Sequence, residues 1–154
     1  MKNFEMKYIA DNGLFLLTSH DLDAAHAYKV VQFKTRVKNA IEALTKTQES
    51  FVKEAGIDDP QAFDARRTEL NGKEKRTKQE ESELKDLNAK MERYNQLVMA
   101  QMNEDANIEP KTMPYAQWKA LQDENKGIKV EGGVELLTLC EAQLENILWK
   151  APED

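Results

Sequence analysis

Apolar residues recur every three or four positions over two long stretches of this chain, a period that restricts it to helices packed along their length. The first stripe is Val30, Phe33, Val37, Ala40 with Ile41, Leu44, Phe51 and Ala55. The second is Leu84, Leu87, Met91, Tyr94, Leu97 with Val98, and Met102. Ahead of the first stripe, Ser19 reads as an N-cap, with Asp21 and Asp23 where carboxylates suit the helix dipole, and Gly56 supplies the stop. A helix over about residues 20–55 would rise roughly 54 Å. A compact chain of this length is roughly 40 Å across, so the stripe predicts an elongated molecule or a projecting arm.

Asp58-Asp59-Pro60 carries a carboxylate cap and a proline suited to N1, which predicts a short helix from about Pro60 to Leu70. Asn71-Gly72 either breaks it or is tolerated within one helix at about 1 kcal/mol. Thr77 and Glu80 form a capping box ahead of the second stripe. Together these predict a long antiparallel, coiled-coil-like helical hairpin over residues 19–106, turning back near residues 56–60. Upstream, Phe4, Met6 and Tyr8 alternate with Glu5 and Lys7, and Asn12-Gly13 leads into Leu14-Phe15-Leu16-Leu17, which predicts a small β-hairpin over residues 1–18. Such a hairpin is marginal alone, so its apolar face must lie on the helices or on a second chain.

Over residues 107–154 two shorter helices are expected. Pro114 opens the first, with Tyr115, Trp118 and Leu121 on one face and Gly127 after it. Gly132-Gly133 forms a joint before the second, whose stripe is Leu137, Cys140, Leu144, Ile147 and Leu148, ending before Pro152. The expected fold is mainly α, a single elongated helical domain of 154 residues.

With 40 % hydrophobic and 32 % charged residues, the chain is too apolar for a disordered tail and too charged for a membrane protein. No apolar run approaches the roughly 20 residues of a membrane helix, and the N-terminus mixes charge signs where a signal peptide would be basic. Cys140 is the only cysteine, so no intrachain disulfide forms, which suits a reducing compartment and makes the cytoplasm the expected location. The formal net charge of −6 opposes non-specific binding of nucleic acid or acidic membranes by the molecule as a whole. The charge is unevenly spread: Lys29, Lys34, Arg36, Lys38, Lys46 and Lys53 dominate residues 28–55, whereas residues 79–109 are rich in Glu and Asp. Two segments of opposite sign are natural mates.

Four groups of residues offer chemistry. His20, Asp23 and His26 fall three apart, over an arc of about 120° of a helix, and would present two imidazoles and a carboxylate to a metal. The spacing matches neither His at i and i+4 nor Glu-x-x-His, and acids near a helix start serve the dipole anyway. Glu80, Glu83 and Asp86 form a line that would hold magnesium for a metal-dependent hydrolase if a second acidic helix faced it, but no matching line is present. Arg66, Arg67, Lys73, Lys75, Arg76 and Lys78, with Lys34 and Lys38, would contact phosphates, although no aromatic is interleaved and neighbouring acids offer ion pairs. The carboxylate-rich stretch from Glu80 to Glu92 would also suit an inhibitor that mimics nucleic acid. Phe4, Met6 and Tyr8, on the apolar face of the expected hairpin, and Tyr115 and Trp118, since tryptophan is enriched at binding hot spots, are candidate partner contacts, with core packing as the competing role for Tyr115, Trp118 and Trp149. No glycine-rich phosphate loop or nucleophile constellation is present, so neither a cofactor nor catalysis is expected.

The run Ala27-Tyr28-Lys29-Val30-Val31-Gln32-Phe33-Lys34, continuing to Val37, Ile41 and Leu44 after a short N-terminal segment, resembles small uncharacterised helical accessory proteins of tailed phages. The resemblance covers about the first third of the chain, implies a role in virion assembly or host takeover, and transfers no functional residue. The sequence thus predicts a non-catalytic helical protein that binds itself or another protein. Nucleic-acid binding through residues 66–78 is the alternative, and no membrane partner is expected.

Overall fold

A computed structural model describes residues 1–109, 111–130 and 135–137. It is mainly helical: α1 (Asn3–Asp11), a 3-10 turn (Leu14–Leu16), α2 (Ala24–Glu54), α3 (Pro60–Asn71), α4 (Lys78–Met102) and α5 (Tyr115–Glu124). Among the described residues there is no strand beyond the isolated bridges Lys2 to Asp105 and Lys129 to Glu135. No described helix is long and apolar enough to cross a membrane. The chain divides into two compact units, one of residues 1–42 with the described residues from 103 onward, the other Ala43–Met102. α2 contributes to both.

In the first unit, residues 1–18 form a helix and a turn where alternation predicted a β-hairpin. The two-residue period stops at Ile9, which is buried together with Asn3 and Met6 at helical three-residue spacing, while Phe4 and Tyr8 fall on the outer face. Glu5 closes the start of α1 by accepting the Lys2 N–H at 2.7 Å. Asn12 ends it, donating both its backbone N–H and its side-chain Nδ2 to the Tyr8 carbonyl. Gly13 then takes a φ of 110°, so Asn12-Gly13 is a helix stop, a role that uses the same left-handed backbone as a hairpin turn. A Cβ on Gly13 would run into the Leu136 side chain and lie 2.9 Å from Val130, which fixes glycine here for space as well as for φ. Leu14 and Leu17 turn inward at three-residue spacing, leaving Phe15 and Leu16 outside.

α2 starts at Asp23 and not at Ser19. The Asp23 carboxylate accepts the His26 N–H at 2.9 Å, the N3 position of a capped helix. Val30, Phe33 and Val37 bury the first part of the predicted stripe. They share the core of this unit with Met6, Ile9, Leu14, Leu17, Leu22, Ile108, Met113, Trp118, Leu121 and Leu136. Residues 1–3 are held by exchange with the segment after α4: Asn3 N–H to the Glu104 carbonyl at 3.0 Å, and Ala106 N–H to the Met1 carbonyl at 2.9 Å. α5 follows Pro114, as predicted, with Trp118 and Leu121 inward. The predicted joint at Gly132-Gly133 and the last helix through Cys140, Leu144, Ile147, Leu148 and Trp149 lie outside the described residues.

In the second unit the helix boundaries follow the sequence signals. Gly56 at φ 83° ends α2. Asp59 caps α3 by accepting the N–H groups of Gln61 and Ala62, with Pro60 at N1. Gly72 ends α3, and Thr77 and Glu80 exchange their capping-box bonds at 3.0 and 3.2 Å to start α4. The predicted turn near residues 56–60 is corrected. Gln48 bonds Gln101 and Glu54 pairs with Arg93, then the cluster of Ala55, Ile57 and Phe63 packs with Leu87 and Met91, Arg66 pairs with Glu83, and Lys73 with Glu80. One set of numbers climbs while the other falls, so the end of α2 and then α3 run in succession along an antiparallel α4, and the chain reverses at residues 73–77. Gly56 and the Asp-Asp-Pro cap break a helix without reversing its course; stop signals set where a helix ends, not where the chain goes next.

Candidate functional site

The basic stretch and the acidic line, read from the sequence as separate candidates, meet across α3 and α4. The Arg66 guanidinium forks onto Glu83, with Nε and Nη2 each 2.8 Å from a carboxylate oxygen, and its Nη1 reaches Glu69 at 2.9 Å. Glu83, and then Glu69, hold the guanidinium more firmly protonated than usual, and Arg66 holds the Glu83 carboxyl below its ordinary range. Lys73 bonds Glu80, which raises the ammonium and, with the Thr77 N–H, lowers the carboxyl. Arg67 donates to Asn88 at 2.9 Å, and Arg76 to the Leu70 and Lys73 carbonyls at and just beyond the end of α3. Asp86 pairs with Lys90. Of the six predicted phosphate contacts, Lys75 and Lys78 alone engage none of these groups, and both are exposed beside the chain reversal. Two acids of α4, Glu83 and Glu80, are thus taken by Arg66 of α3 and by Lys73 just beyond its end, whereas the sequence matched the acids of this segment to the bases of residues 28–55. The ion pair between the end of α2 and α4, Glu54 with Arg93, has the opposite polarity.

His20, Asp23 and His26 do not converge as a triad. Asp23 and His26 pair through carboxylate and Nδ1 at 2.8 Å, and this helix start, His26 N–H first, lowers the Asp23 carboxyl. His20 lies in the preceding loop and is tied by its backbone N–H to Glu124. Among the described residues no group of three His, Cys, Asp or Glu side chains is placed to hold a metal.

That loop is clamped by a feature the sequence did not reveal. Asn125, 1 % exposed, accepts the Thr18 N–H at 2.8 Å and donates to the Thr18 and Leu121 carbonyls, each at 2.8 Å. Glu124 takes the N–H groups of His20 and Asp21 at 2.7 and 3.0 Å, and Gln117 that of Asp23 at 3.0 Å. α5 and its C-cap Asn125 therefore present three polar side chains that satisfy the backbone of a strandless loop, whose amides lack any ladder partner. Lys34 completes the arrangement, donating to the Leu17 carbonyl at 2.6 Å; burial lowers its ammonium, and it is not available as a free phosphate contact.

The predicted partner residues separate by burial. Met6 and Trp118 are core, at 0 % and 3 % exposure. Phe4 at 50 %, Tyr8 at 40 % and Tyr115 at 63 % face outward. Phe15, Leu16, Tyr28 and Val31 of the same unit, absent from the sequence-based set, are also exposed. α1 packs on the turn that carries Phe15 and Leu16, so four of these residues sit on adjoining elements.

The second unit holds a cavity of about 170 Å³ where α2 gives way to α3, walled by Val52, Ile57, Pro60, Phe63, Met91 and Tyr94 with Asp64 at its lining. The sequence signal for it was present in Gly56 and Pro60: a helix that stops and restarts beside an unbroken neighbour leaves a gap. Comparison with protein-family models, curated proteins and solved structures finds no match.

Proposed function

We propose that this chain is a non-catalytic interaction protein that binds a protein surface, in the first instance a second copy of itself, through the apolar side chains of its N-terminal helix and turn. The observation that carries the reading is the exposure of Phe4, Tyr8, Phe15 and Leu16 on adjoining elements. Large aromatic and aliphatic side chains held in water by a well-packed underside are the usual material of an interface centre. The underside here is packed into the core, since Met6, Ile9, Leu14 and Leu17 are almost fully buried. The polar chemistry supports the same reading: Arg66 and Lys73 pair with Glu83 and Glu80, and Gln117, Glu124 and Asn125 are spent on the backbone of one loop. The resemblance of residues 27–34 to phage accessory proteins adds an assembly or host-takeover context to the proposal.

Size-exclusion chromatography with light scattering, at several concentrations and with absorbance at 260 and 280 nm, tests it. The expected result is a mass above the 17.7 kDa monomer that falls to the monomer in the Phe4→Asp, Leu16→Asp double variant. A monomer free of nucleic acid would remove self-association and leave a different protein as partner. Co-eluting nucleic acid released by salt would favour the exposed Lys75 and Lys78 at the chain reversal instead.

A further inference from the structure

We infer that the notch between α2, α3 and α4 is a binding site for a small primary amine with a ring-sized apolar body. The geometry sets the size. A cavity of about 170 Å³ is comparable with an engineered apolar void of about 150 Å³ that stays dry and takes up benzene. Its walls are Val52, Ile57, Pro60, Phe63 and Met91, with Ile57 and Phe63 buried in the cluster that joins the three helices. An apolar group entering this half-open notch takes its apolar wall surface out of water, which favours ring binding without a hydrogen bond.

The charge follows from what surrounds the opening. Asp64 is exposed at the lining, and no cationic side chain lines the cavity with it. The neighbouring bases are committed elsewhere: Arg66 to Glu83 and Glu69, Arg67 to Asn88, Lys90 to Asp86. The Asp64 carboxylate itself has no ion-pair partner among the described residues. Tyr94, half-buried, adds an aromatic face, and a carboxylate beside such a face favours an ammonium group over a neutral or anionic one. The site lies within Ala43–Met102 and so is independent of the apolar surface proposed above as an interface.

The test uses the full chain and two probes of the same shape, benzylamine and benzyl alcohol, titrated while the methyl resonances of Val52, Ile57 and Met91 are followed by NMR. Benzylamine is expected to shift these methyls saturably, with benzyl alcohol binding about fivefold more weakly, the upper range of an exposed ion pair. Asp64→Asn should bring benzylamine down to the alcohol's affinity while the alcohol is unchanged. Val52→Phe, which fills the notch, should abolish both. Equal binding of the two probes to the wild type, shifts confined to other methyls, or no saturable shift would each overturn the assignment. Asp64→Asn, a surface change, keeps the test decisive if Val52→Phe does not fold.

Discussion

Asn125 is a polar residue in an apolar interior, and its position is explained by the loop it serves. Its amide is spent on backbone groups: Oδ1 accepts the Thr18 N–H, and Nδ2 donates to the Thr18 and Leu121 carbonyls. Asn125→Ala would leave the part-buried Thr18 amide and carbonyl without this partner and open a small void. The expected loss is about 3 kcal/mol, read from denaturant unfolding with an unchanged m-value. Glu124 gives the same clamp a pH dependence. Burial raises its carboxyl, but the Asp21 and His20 N–H groups, with the Thr18 hydroxyl, outweigh burial and bring it below the ordinary 4.5. A carboxyl whose folded value is depressed contributes fully above its unfolded value, and the contribution is lost as pH falls through the folded value. The amide resonances of His20 and Asp21 should therefore hold steady above pH 4.5 and titrate together below it, and Glu124→Gln should remove that titration. None of this was legible in the sequence, because a lone Glu-Asn pair at a helix end carries no sign of a loop that lies a hundred residues away. Gly13 shows partial legibility: Asn-Gly announced a left-handed residue correctly, while the element around it depended on Ile9 and Leu17 being drawn inward.

The helices of the second unit were readable at their ends and not in their courses. Asp59, Gly72 and the Thr77 and Glu80 box act through bonds within a few residues, so local pattern suffices to place them. Where the chain reverses depends on which helices share a core, and stripes of equal period leave that open. Charge is what distinguishes the observed pairing, with Arg66 of α3 and Lys73 just after it meeting Glu83 and Glu80 of α4. If those pairs help fix the packing, Arg66→Glu should lower the unfolding midpoint, since it places a third carboxylate beside Glu69 and Glu83. Adding Glu83→Arg should recover most of the loss by restoring the pair in reverse. Equal midpoints for single and double variants, measured at low and high salt, would show that the apolar contacts of the cluster of Ala55, Ile57 and Phe63 with Leu87 and Met91 set the pairing alone.

Across the whole molecule, the two units differ in how deeply they bury their large side chains. Phe33, Met6, Ile9, Leu14, Leu17, Met113, Leu121 and Leu136 of the first unit are almost completely enclosed, whereas Leu70 is the comparable residue in the second. The second unit relies on half-buried Val52, Leu87, Met91 and Tyr94 around a small cluster, on exposed ion pairs, and on walls that leave a cavity. Exposed ion pairs contribute little to stability and an unfilled cavity detracts from it. Local opening therefore requires less free energy in the second unit than in the first. The consequence falls within α2, one continuous helix that serves both units and has no break between residues 24 and 54. In native-state hydrogen exchange the amides of residues 30–37 should be the slowest of this helix, with protection falling along residues 45–54 to match that of residues 84–94 of α4. Uniform protection along α2 would mean that the two units open as one, and that continuity of the helix outweighs the difference between their cores.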